Sequence, residues 1–181
     1  MAEGLVLLTG RPGVGKTTAV LRTVDLLRAR DVRVGGFVTV EVRRDGRRAG
    51  FDIVDILSGV RRTMASESLR TQLMVGRYGV DPAFEEMAVK ALEKSVEKCE
   101  VTVVDEIGPM ELKMPGLAST LGKLLERGRL VLATVHYASR HPVARMAVER
   151  AGPHLYVLNE SNRDKLPMML AELLMSWIRL R

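Results

Sequence analysis

The sequence predicts an α/β fold in which a mainly parallel central sheet, with antiparallel additions, is covered by helices on both faces. Short apolar segments typical of buried strands alternate with amphipathic segments typical of helices, and this alternation predicts parallel strands. A hairpin pattern in the first third of the chain supplies the antiparallel strands. No repeat, linker or low-complexity tract divides the 181 residues, so we expect one domain spanning residues 1–181.

The first half of the chain predicts a strand, a helix and the hairpin. The apolar run at residues 4–9 is typical of a buried strand, and residues 16–30 carry apolar side chains at the spacing of one helical face. A second strand begins at Val34 and leads to a tight turn at Asp45-Gly46. The chain then returns through residues 48–56 as the partner strand.

The second half alternates helices with strands. Residues 76–80 indicate a turn or a short strand, and Asp81 is expected to cap a helix that runs to about Lys98, with Pro82 in its first position. Strands and helices then alternate to the end of the chain, the strands at residues 101–105, 129–135 and 154–158 and the helices at 115–127, 142–150 and through Trp177.

The phosphate-binding motif G-x-x-x-x-G-K-T is met by Gly10-Arg11-Pro12-Gly13-Val14-Gly15-Lys16-Thr17, and Thr18 follows it. Glycines let the backbone curl so that N–H groups point inward at an anion, and the following helix adds its free N-terminal donors. Lys16 supplies a charge for the β- and γ-phosphates, and the Thr17 hydroxyl can bind Mg²⁺. Because the motif lies between a predicted strand and a predicted helix, it indicates a nucleoside-triphosphate site.

A second motif is the apolar strand that ends in acids, Val101-Thr102-Val103-Val104-Asp105-Glu106. In a parallel sheet the carboxyl end of such a strand lies beside the phosphate loop. Asp105 is therefore expected to hold Mg²⁺ through water, while Thr17 binds the ion directly. Glu106 is the candidate general base, because an adjacent carboxylate can orient or deprotonate a water that attacks the γ-phosphate. This pair favours hydrolysis over simple binding.

Other polar residues near the predicted strand ends leave alternatives open. Thr134 is a candidate catalytic residue that senses the γ-phosphate, although a hydroxyl bonded to backbone is equally consistent with its position. Asn162 and Arg163 are candidate contacts to the base, while helix capping by Ser161 or Asn162 is the more ordinary role. A cation on the developing charge is also expected, and the sequence does not choose among five arginines, Arg11, Arg77, Arg140, Arg145 and Arg163. The three histidines lack metal-site spacing, so no zinc site is predicted.

Composition narrows the class of protein. A single cysteine excludes a framework of internal disulfides, and no apolar stretch reaches membrane-spanning length. With no signal segment evident, a cytoplasmic protein is expected. One glutamine and two asparagines beside many charged side chains suggest a heat-adapted source. The net charge of +6 is compatible with nucleic acid, but the arginines around the Asp45-Gly46 turn lack interleaved aromatic residues and are interpreted as a solvated hairpin tip.

Six segments together resemble the small nucleoside-triphosphatases first recognised in thermophiles, which are sometimes described as nucleotide kinases. The resemblance spans essentially the whole chain. It implies a RecA-like core with an added strand and a catalytic glutamate, Mg²⁺-dependent hydrolysis of several nucleoside triphosphates, and weak discrimination between bases. The implied nucleotide-binding stretches are Gly10 to Thr17 and Val101 through Asp105, Glu106, Ile107 and Gly108. The segments are residues 10–18, 35–43, 48–52, 75–81, 104–112 and 162–167.

Three functions therefore remain in view. The leading one is a nucleoside-triphosphate phosphohydrolase acting on ATP, GTP and other triphosphates. The first alternative is a nucleotide or small-molecule kinase, with a lid formed by four arginines, Arg61, Arg62, Arg70 and Arg77. The second is a nucleic-acid-associated regulatory ATPase, which the sequence pI of 9.8 favours. No sequence feature sets the oligomeric state, and a monomer is the working expectation.

Overall fold

The computed structural model describes residues 4–181, and the first three residues of the predicted domain lie outside the described part of the chain. The elements are β1 (Leu5–Thr9), α1 (Lys16–Arg28), β2 (Val34–Arg44), β3 (Arg47–Asp55), β4 (Arg61–Ser66), β5 (Met74–Val75), β6 (Tyr78–Val80), α2 (Phe84–Lys98), β7 (Val101–Ile107), α3 (Pro109–Leu112), α4 (Pro115–Glu126), β8 (Leu130–Val135), α5 (Pro142–Ala151), β9 (Leu155–Val157) and α6 (Leu166–Arg179).

The described strands form one mixed sheet in the order β5-β6-β4-β3-β2-β7-β8-β1-β9. Strands β2, β7, β8, β1 and β9 pair in parallel, whereas β3 to β6 are added through antiparallel pairing. Strand β8 separates β1, which leads into the phosphate loop, from β7, which ends in the two acids. The predicted α/β fold with antiparallel additions is confirmed.

Alternation along the strands builds a separate apolar core on each face of the sheet. Phe37 of β2 packs into the core that contains α2, α4 and α5, whereas its neighbour Val38 packs into the core that contains α1 and α6. Leu7 and Leu8 of β1 divide between the same two cores. This division follows from the two-residue period of a strand, and it covers both faces of the parallel strands as predicted.

One local prediction is wrong, and one strand was not predicted. Helix α2 begins at Phe84 rather than at Asp81, because the Asp81 carboxylate accepts a hydrogen bond from the Ala83 N–H (2.9 Å) and stabilises a turn before the helix. Strand β4 was not predicted, since only Met64 and Ala65 of its six residues are buried and no regular apolar alternation marks it. Within residues 4–181, no helix is both long enough and apolar enough to cross a membrane.

The hairpin turn is where the sequence places it. Asp45 and Gly46 both adopt positive φ, 50° and 75°, which is the geometry of a tight two-residue hairpin connection. Strands β2 and β3 are long, so the hairpin continues past the point where β2 leaves β7 after the Val38–Asp105 pair. The hairpin therefore projects beyond the carboxyl edge of the parallel strands, beside the phosphate loop.

Candidate functional site

The phosphate loop connects β1 to α1 and is shaped by close backbone approaches. Gly15 lies at the N-cap of α1 with φ 107°, and no side chain caps the helix. At Gly10, a Cβ would lie 2.7 Å from the carbonyl oxygen of Leu158, so no larger residue fits there without movement. Because no side chain caps α1, the N–H groups of its first turn are available as donors for an anion.

Lys16 is folded back over this loop. Its ammonium donates a hydrogen bond to the carbonyl oxygen of Gly10 (3.1 Å) and lies 3.9 Å from Oε2 of Glu106. Only 11% of the side chain is exposed. The positive charge is thus held between the loop and the acids of β7, which is where the terminal phosphates of a triphosphate need it.

Asp105 is fixed by two hydroxyl groups from neighbouring elements. Thr17 donates to Oδ2 (2.7 Å) and Thr134 donates to Oδ1 (2.6 Å), while the residue is only 1% exposed. Burial raises the pKa of Asp105, and the hydrogen bonds from Thr134 and Thr17, with the charge of Lys16, act in the opposite direction. The result is an oriented carboxylate at the bottom of the site.

The oxygens of Thr17 and Asp105 fit a magnesium ion. They lie 2.7 Å apart at the start of α1 and the end of β7, and both are hard oxygen donors. A magnesium ion in a triphosphate site takes one or two protein ligands and completes its shell with phosphate oxygens and water. A two-oxygen donor set beside the phosphate loop meets that requirement.

The position of Thr134 differs from one of the two sequence-based interpretations. Its hydroxyl donates to the carboxylate of Asp105 rather than to a backbone carbonyl, and the residue is fully buried. Direct contact of Thr134 with a γ-phosphate stays a prediction, while in this structure the hydroxyl donates its hydrogen to Asp105. Thr134 is therefore placed to orient Asp105 and acts on the site through it.

Glu106 lies at the surface of the cavity beside Lys16. Burial, the largest cause, and repulsion from Asp105 raise the pKa of Glu106 to about 7, against the opposing charge of Lys16. A carboxyl group with such a pKa exchanges protons readily near neutral pH, which suits a general base. The raised pKa of Glu106 is compatible with its predicted role as a general base.

Glu111 is a site residue that the sequence reasoning did not single out. It lies on the short helix α3 and is 4% exposed. A Cβ on Gly108 would lie 2.7 Å from Oε1 of Glu106 and 3.1 Å from Oε2 of Glu111, so both carboxyl groups converge on this glycine. Burial, then the charge of Glu106, raises the pKa of Glu111 well above its ordinary value. The available signal was an acid five residues after Glu106, behind a Gly-Pro turn.

A cavity of about 760 Å³ extends from these groups to the projecting hairpin. Its phosphate end is lined by the phosphate loop, Asp105, Glu106 and Glu111, with His136 nearby. Its other end, here called the hairpin end, is formed by Glu41, Arg43, Arg48, Phe51, Met64 and Tyr78. The cavity is thus larger than the phosphate site alone and has a chemically different second half.

The remaining arginine candidates are not among the residues that line this cavity. None of the five candidate arginines lines it, and Arg77 instead contacts the hydroxyl of Tyr78 (3.0 Å) and the carboxylate of Glu67 (2.7 Å). The candidate lid arginines Arg61 and Arg62 pair with surface acids. The arginines that do line it, Arg43 and Arg48, were assigned to a solvated hairpin tip.

Residues 159–163 form a turn between β9 and α6. The Asn159 side chain accepts hydrogen bonds from the N–H groups of Ser161 (2.9 Å) and Asn162 (3.2 Å), while the amide nitrogen of Asn162 donates to the carbonyl of Val157 (2.9 Å). Helix α6 begins later, with Lys165 at its N-cap and no side-chain cap. The expected capping by Ser161 or Asn162 is therefore wrong, because both serve the turn. Contact of Asn162 and the exposed Arg163 with a base stays a prediction.

Comparisons with known proteins identify the family. A family model described as NTPase matches residues 5–171. Nucleoside-triphosphatase THEP1 of Thermofilum pendens is 43% identical over 94% of this chain and 95% of its own length, and THEP1 of Methanopyrus kandleri is 38% identical over 97% and 98%.

Two solved structures share the architecture. The crystal structure of THEP1 from the hyperthermophile Aquifex aeolicus has a TM-score of 0.82 and 31% identity, covering 94% of this chain and 98% of that one. The solution structure of a human cancer-related nucleoside triphosphatase has a TM-score of 0.75 and 34% identity, covering 96% and 98%. Both likenesses extend over nearly the full length of the fold.

Proposed function

Because the chain belongs to the NTPase family and is a nucleoside-triphosphatase, we propose that it hydrolyses ATP, GTP and other nucleoside triphosphates to the diphosphate and phosphate in a magnesium-dependent reaction. The observation that carries the proposal is the pair of acids that ends β7. Asp105 is held by Thr17 and Thr134, while Glu106 lines the cavity and, within residues 4–181, has only the ammonium of Lys16, 3.9 Å away, as an ion-pair partner. Asp105 is thus held in one orientation, whereas Glu106 is available to react.

Thr17 and Asp105 are the residues proposed to hold the magnesium ion. The bound ion would neutralise charge on the β- and γ-phosphates. The two oxygens belong to the start of α1 and the end of β7 and lie 2.7 Å apart, which supports a shared role in holding the ion. Thr134 keeps the Asp105 carboxylate in that orientation.

The protein's own groups divide the chemistry between them. Lys16 and the N–H groups of the phosphate loop bind the β- and γ-phosphates and stabilise the charge that develops on them. Glu106 accepts the proton of a water molecule as its oxygen attacks the γ-phosphorus. The bond between the γ-phosphorus and the β–γ bridging oxygen breaks, and the nucleoside diphosphate leaves with the electron pair.

Weak discrimination between bases is expected because the rigidly held groups of the site lie at its phosphate end. The fixed groups are those that contact phosphates and metal, and these are common to all nucleoside triphosphates. The proposed base contacts, Asn162 and Arg163, lie at a surface turn where hydrogen bonding is open to water. We therefore expect the affinity for a nucleotide to come mainly from its phosphates.

The direct test is phosphate release from ATP, GTP, CTP and UTP during a magnesium titration. We expect hydrolysis of all four with kcat/KM values within about tenfold, which is 1.4 kcal/mol. Release that persists in excess EDTA would contradict the magnesium requirement. Parallel reactions with single-stranded RNA and duplex DNA test the nucleic-acid alternative, for which stimulated turnover is the characteristic result; we expect none.

A further inference from the structure

None of the groups proposed to act in hydrolysis lies at the hairpin end of the cavity. The groups proposed to act on water and triphosphate lie at the phosphate end, yet the cavity continues past Glu106 to the β2–β3 hairpin. A site that needed to admit only water would not require this space. The position, charge and apolar surface of the hairpin end therefore indicate a binding site for a second ligand, separate from the triphosphate.

The topology places this space beyond the terminal phosphate. The proposed base contacts follow β9, which borders β1 on one side, whereas β7 and β2 lie on the other side. Val38 of β2 pairs with Asp105, and Glu41 lies three residues further along the strand, about 10 Å away at the usual rise. A triphosphate that runs from residues 159–163 to Lys16 consequently ends facing the hairpin end.

Three side chains of the hairpin, Glu41, Arg43 and Arg48, form a charged rim. Glu41 pairs with Phe51 across the strands, and Arg43 pairs with Arg48. The carboxylate of Glu41 lies 2.6 Å from Nε of Arg43 and 2.7 Å from Nε of Arg48, so one negative charge holds two positive ones. Among residues 4–181, neither terminal nitrogen of Arg48 donates a hydrogen bond to a protein group. The rim therefore has net positive charge and free donors for an anion.

Below the rim lies an aromatic and apolar wall. Phe51 meets Tyr78 edge to face with ring centres 5.3 Å apart, and the guanidinium of Arg48 lies 5.5 Å from the Phe51 ring centre. Met64 is 1% exposed and Tyr78 9%, so both are held in place by the core, while Phe51 is half-buried. Such a wall suits a flat or apolar body of small size.

The inner end next to the phosphates favours a neutral group. Glu106 and Glu111 converge on Gly108 there, and both line the cavity. An anionic group would be repelled by these acids, whereas a hydroxyl can donate its hydrogen to Glu106. From the phosphate end outward, the cavity therefore offers Glu106 as the acceptor of a hydroxyl proton, then the apolar wall, and then the anion-binding rim.

We propose that the hairpin end binds a small organic molecule with a hydroxyl group, an aromatic or apolar body and an anionic group, and that the γ-phosphoryl group is transferred to its hydroxyl. The proposal rests on the proposed function for triphosphate binding. Glu106 takes the hydroxyl proton, the acceptor oxygen forms a bond to the γ-phosphorus, and the bond to the bridging oxygen breaks. The products are a phosphate ester and a nucleoside diphosphate, so the same site serves water or the acceptor.

The test supplies γ-labelled ATP, magnesium and probes of this composition. One probe is 4-(hydroxymethyl)benzoate, with 4-methylbenzoate as the control that lacks the hydroxyl and benzyl alcohol as the control that lacks the anion. Adenosine 3′-monophosphate is a larger probe with a free hydroxyl. We expect a labelled ester from a hydroxyl-bearing anion and none from 4-methylbenzoate. Benzyl alcohol should need about tenfold higher concentration, the equivalent of one charge-assisted hydrogen bond.

Variants separate this site from the hydrolytic one. Arg48→Met should raise the KM of the anionic acceptor about tenfold and leave acceptor-free phosphate release within about twofold, whereas Arg48→Lys should restore part of the affinity. Arg61→Met is the matched control, because Arg61 pairs with Asp52 on the same sheet and does not line the cavity. It should leave both activities unchanged.

Two results overturn the proposal. One is normal phosphate release with no labelled ester from any probe, whether or not the probes bind. The other is an Arg48→Met variant whose KM for ATP rises tenfold without acceptor, because the nucleotide itself would then occupy the hairpin end. Loss of phosphate release in the unmodified protein is a different result, since it contradicts the proposed function itself.

Discussion

The parallel half of the sheet (β1, β2, β7, β8 and β9) and the antiparallel half (β3 to β6) treat polar side chains in opposite ways. At the carboxyl edge of the parallel half, Thr17 of α1, Asp105 and Thr134 are linked in a chain of short hydrogen bonds, in which Asp105 and Thr134 are buried and Thr17 is half-buried. In the antiparallel half, polar groups form ion pairs at the surface, such as Arg61 with Asp52. Buried polar groups must be satisfied to be tolerated, whereas surface pairs contribute little to stability.

This difference separates residues whose substitution disturbs the site from residues whose substitution is tolerated. A change in the buried chain leaves an unsatisfied group in the interior and disturbs the phosphate site at once. A change among the surface pairs alters charge and shape at modest cost in stability. We therefore expect reaction chemistry to depend on the parallel half, and the choice of a second ligand to depend on the hairpin. Each prediction below tests one side of that division.

The largest effect is expected for Lys16→Ala. This change removes the charge held between the phosphate loop and the acids of β7, so hydrolysis of all four triphosphates should fall about 10³-fold. Phosphate release at saturating magnesium is the measurement, with Lys123→Ala, an exposed lysine of α4, as the control. A variant that retained a tenth of normal activity would place the essential cation outside the parallel half.

Glu106→Gln should lower kcat about 10²-fold, because the amide cannot accept the proton of the attacking water. Nucleotide binding should be preserved, since Lys16 and the phosphate loop are unchanged. Single-turnover rates and binding of a labelled triphosphate distinguish the two quantities. The exposed Glu149→Gln of α5 serves as the matched control. Full activity in the Glu106 variant would exclude Glu106 as the base.

Thr134→Val keeps the shape of the side chain but removes one of the two hydrogen bonds to Asp105. We expect the half-saturating magnesium concentration to rise about tenfold, with kcat at saturating magnesium within about threefold of normal. Asp105→Asn should raise the magnesium requirement further, and Thr120→Val, at a half-buried position on α4, should leave it unchanged. A lower kcat with an unaltered magnesium requirement would instead support direct contact between Thr134 and the phosphate.

Glu111→Gln is predicted to stabilise the fold in a pH-dependent manner. The pKa of Glu111 is raised in the folded protein. Above its pKa in the unfolded chain, about 4.3, folding must therefore either keep this carboxyl group protonated or bury its charge, and both reduce stability. The variant should gain about 1–3 kcal/mol at pH 8, and the gain should vanish below about pH 4, where both states are protonated. Denaturant unfolding without nucleotide at the two pH values measures it. A gain that is equal at both would contradict the raised pKa.

The smallest effect is expected at the hairpin tip. The double variant Arg44→Gln/Arg47→Gln removes two exposed charges that do not line the cavity, so stability should change by less than about 0.5 kcal/mol and hydrolysis not at all. Binding to single-stranded RNA should be weak and equal in both proteins. Salt-sensitive RNA binding that the variant loses would show that the tip is a contact surface rather than a solvated one.

Local spacing explains what the sequence predicts correctly. The phosphate loop requires glycines and a lysine at fixed intervals between a strand and a helix, and all of them are consecutive in the chain. The Asp45-Gly46 turn is likewise set by two adjacent residues. Asp105 follows from an apolar strand that ends in an acid. In each case the determining residues lie within a few positions of one another.

What the sequence does not predict depends on partners that are distant in the chain. The hydrogen bond from Thr134 to Asp105 spans 29 residues and exists because β8 lies beside β7. Glu111 becomes a site residue only because α3 turns it back toward Glu106. The arginines of the hairpin were assigned to a solvated tip, yet Arg43 and Arg48 line the cavity. These features follow from tertiary packing, which no local pattern encodes.

The hydrogen bond between Thr17 and Asp105 has a consequence for the entropic cost of binding magnesium. The two oxygens that are proposed to bind the ion already share a hydrogen at 2.7 Å, on a helix and a strand rather than on loops. Metal entry therefore exchanges one contact for another and requires no side chain to lose rotational freedom. Loading should be nearly free of an ordering penalty, an advantage that grows with temperature because entropic costs do.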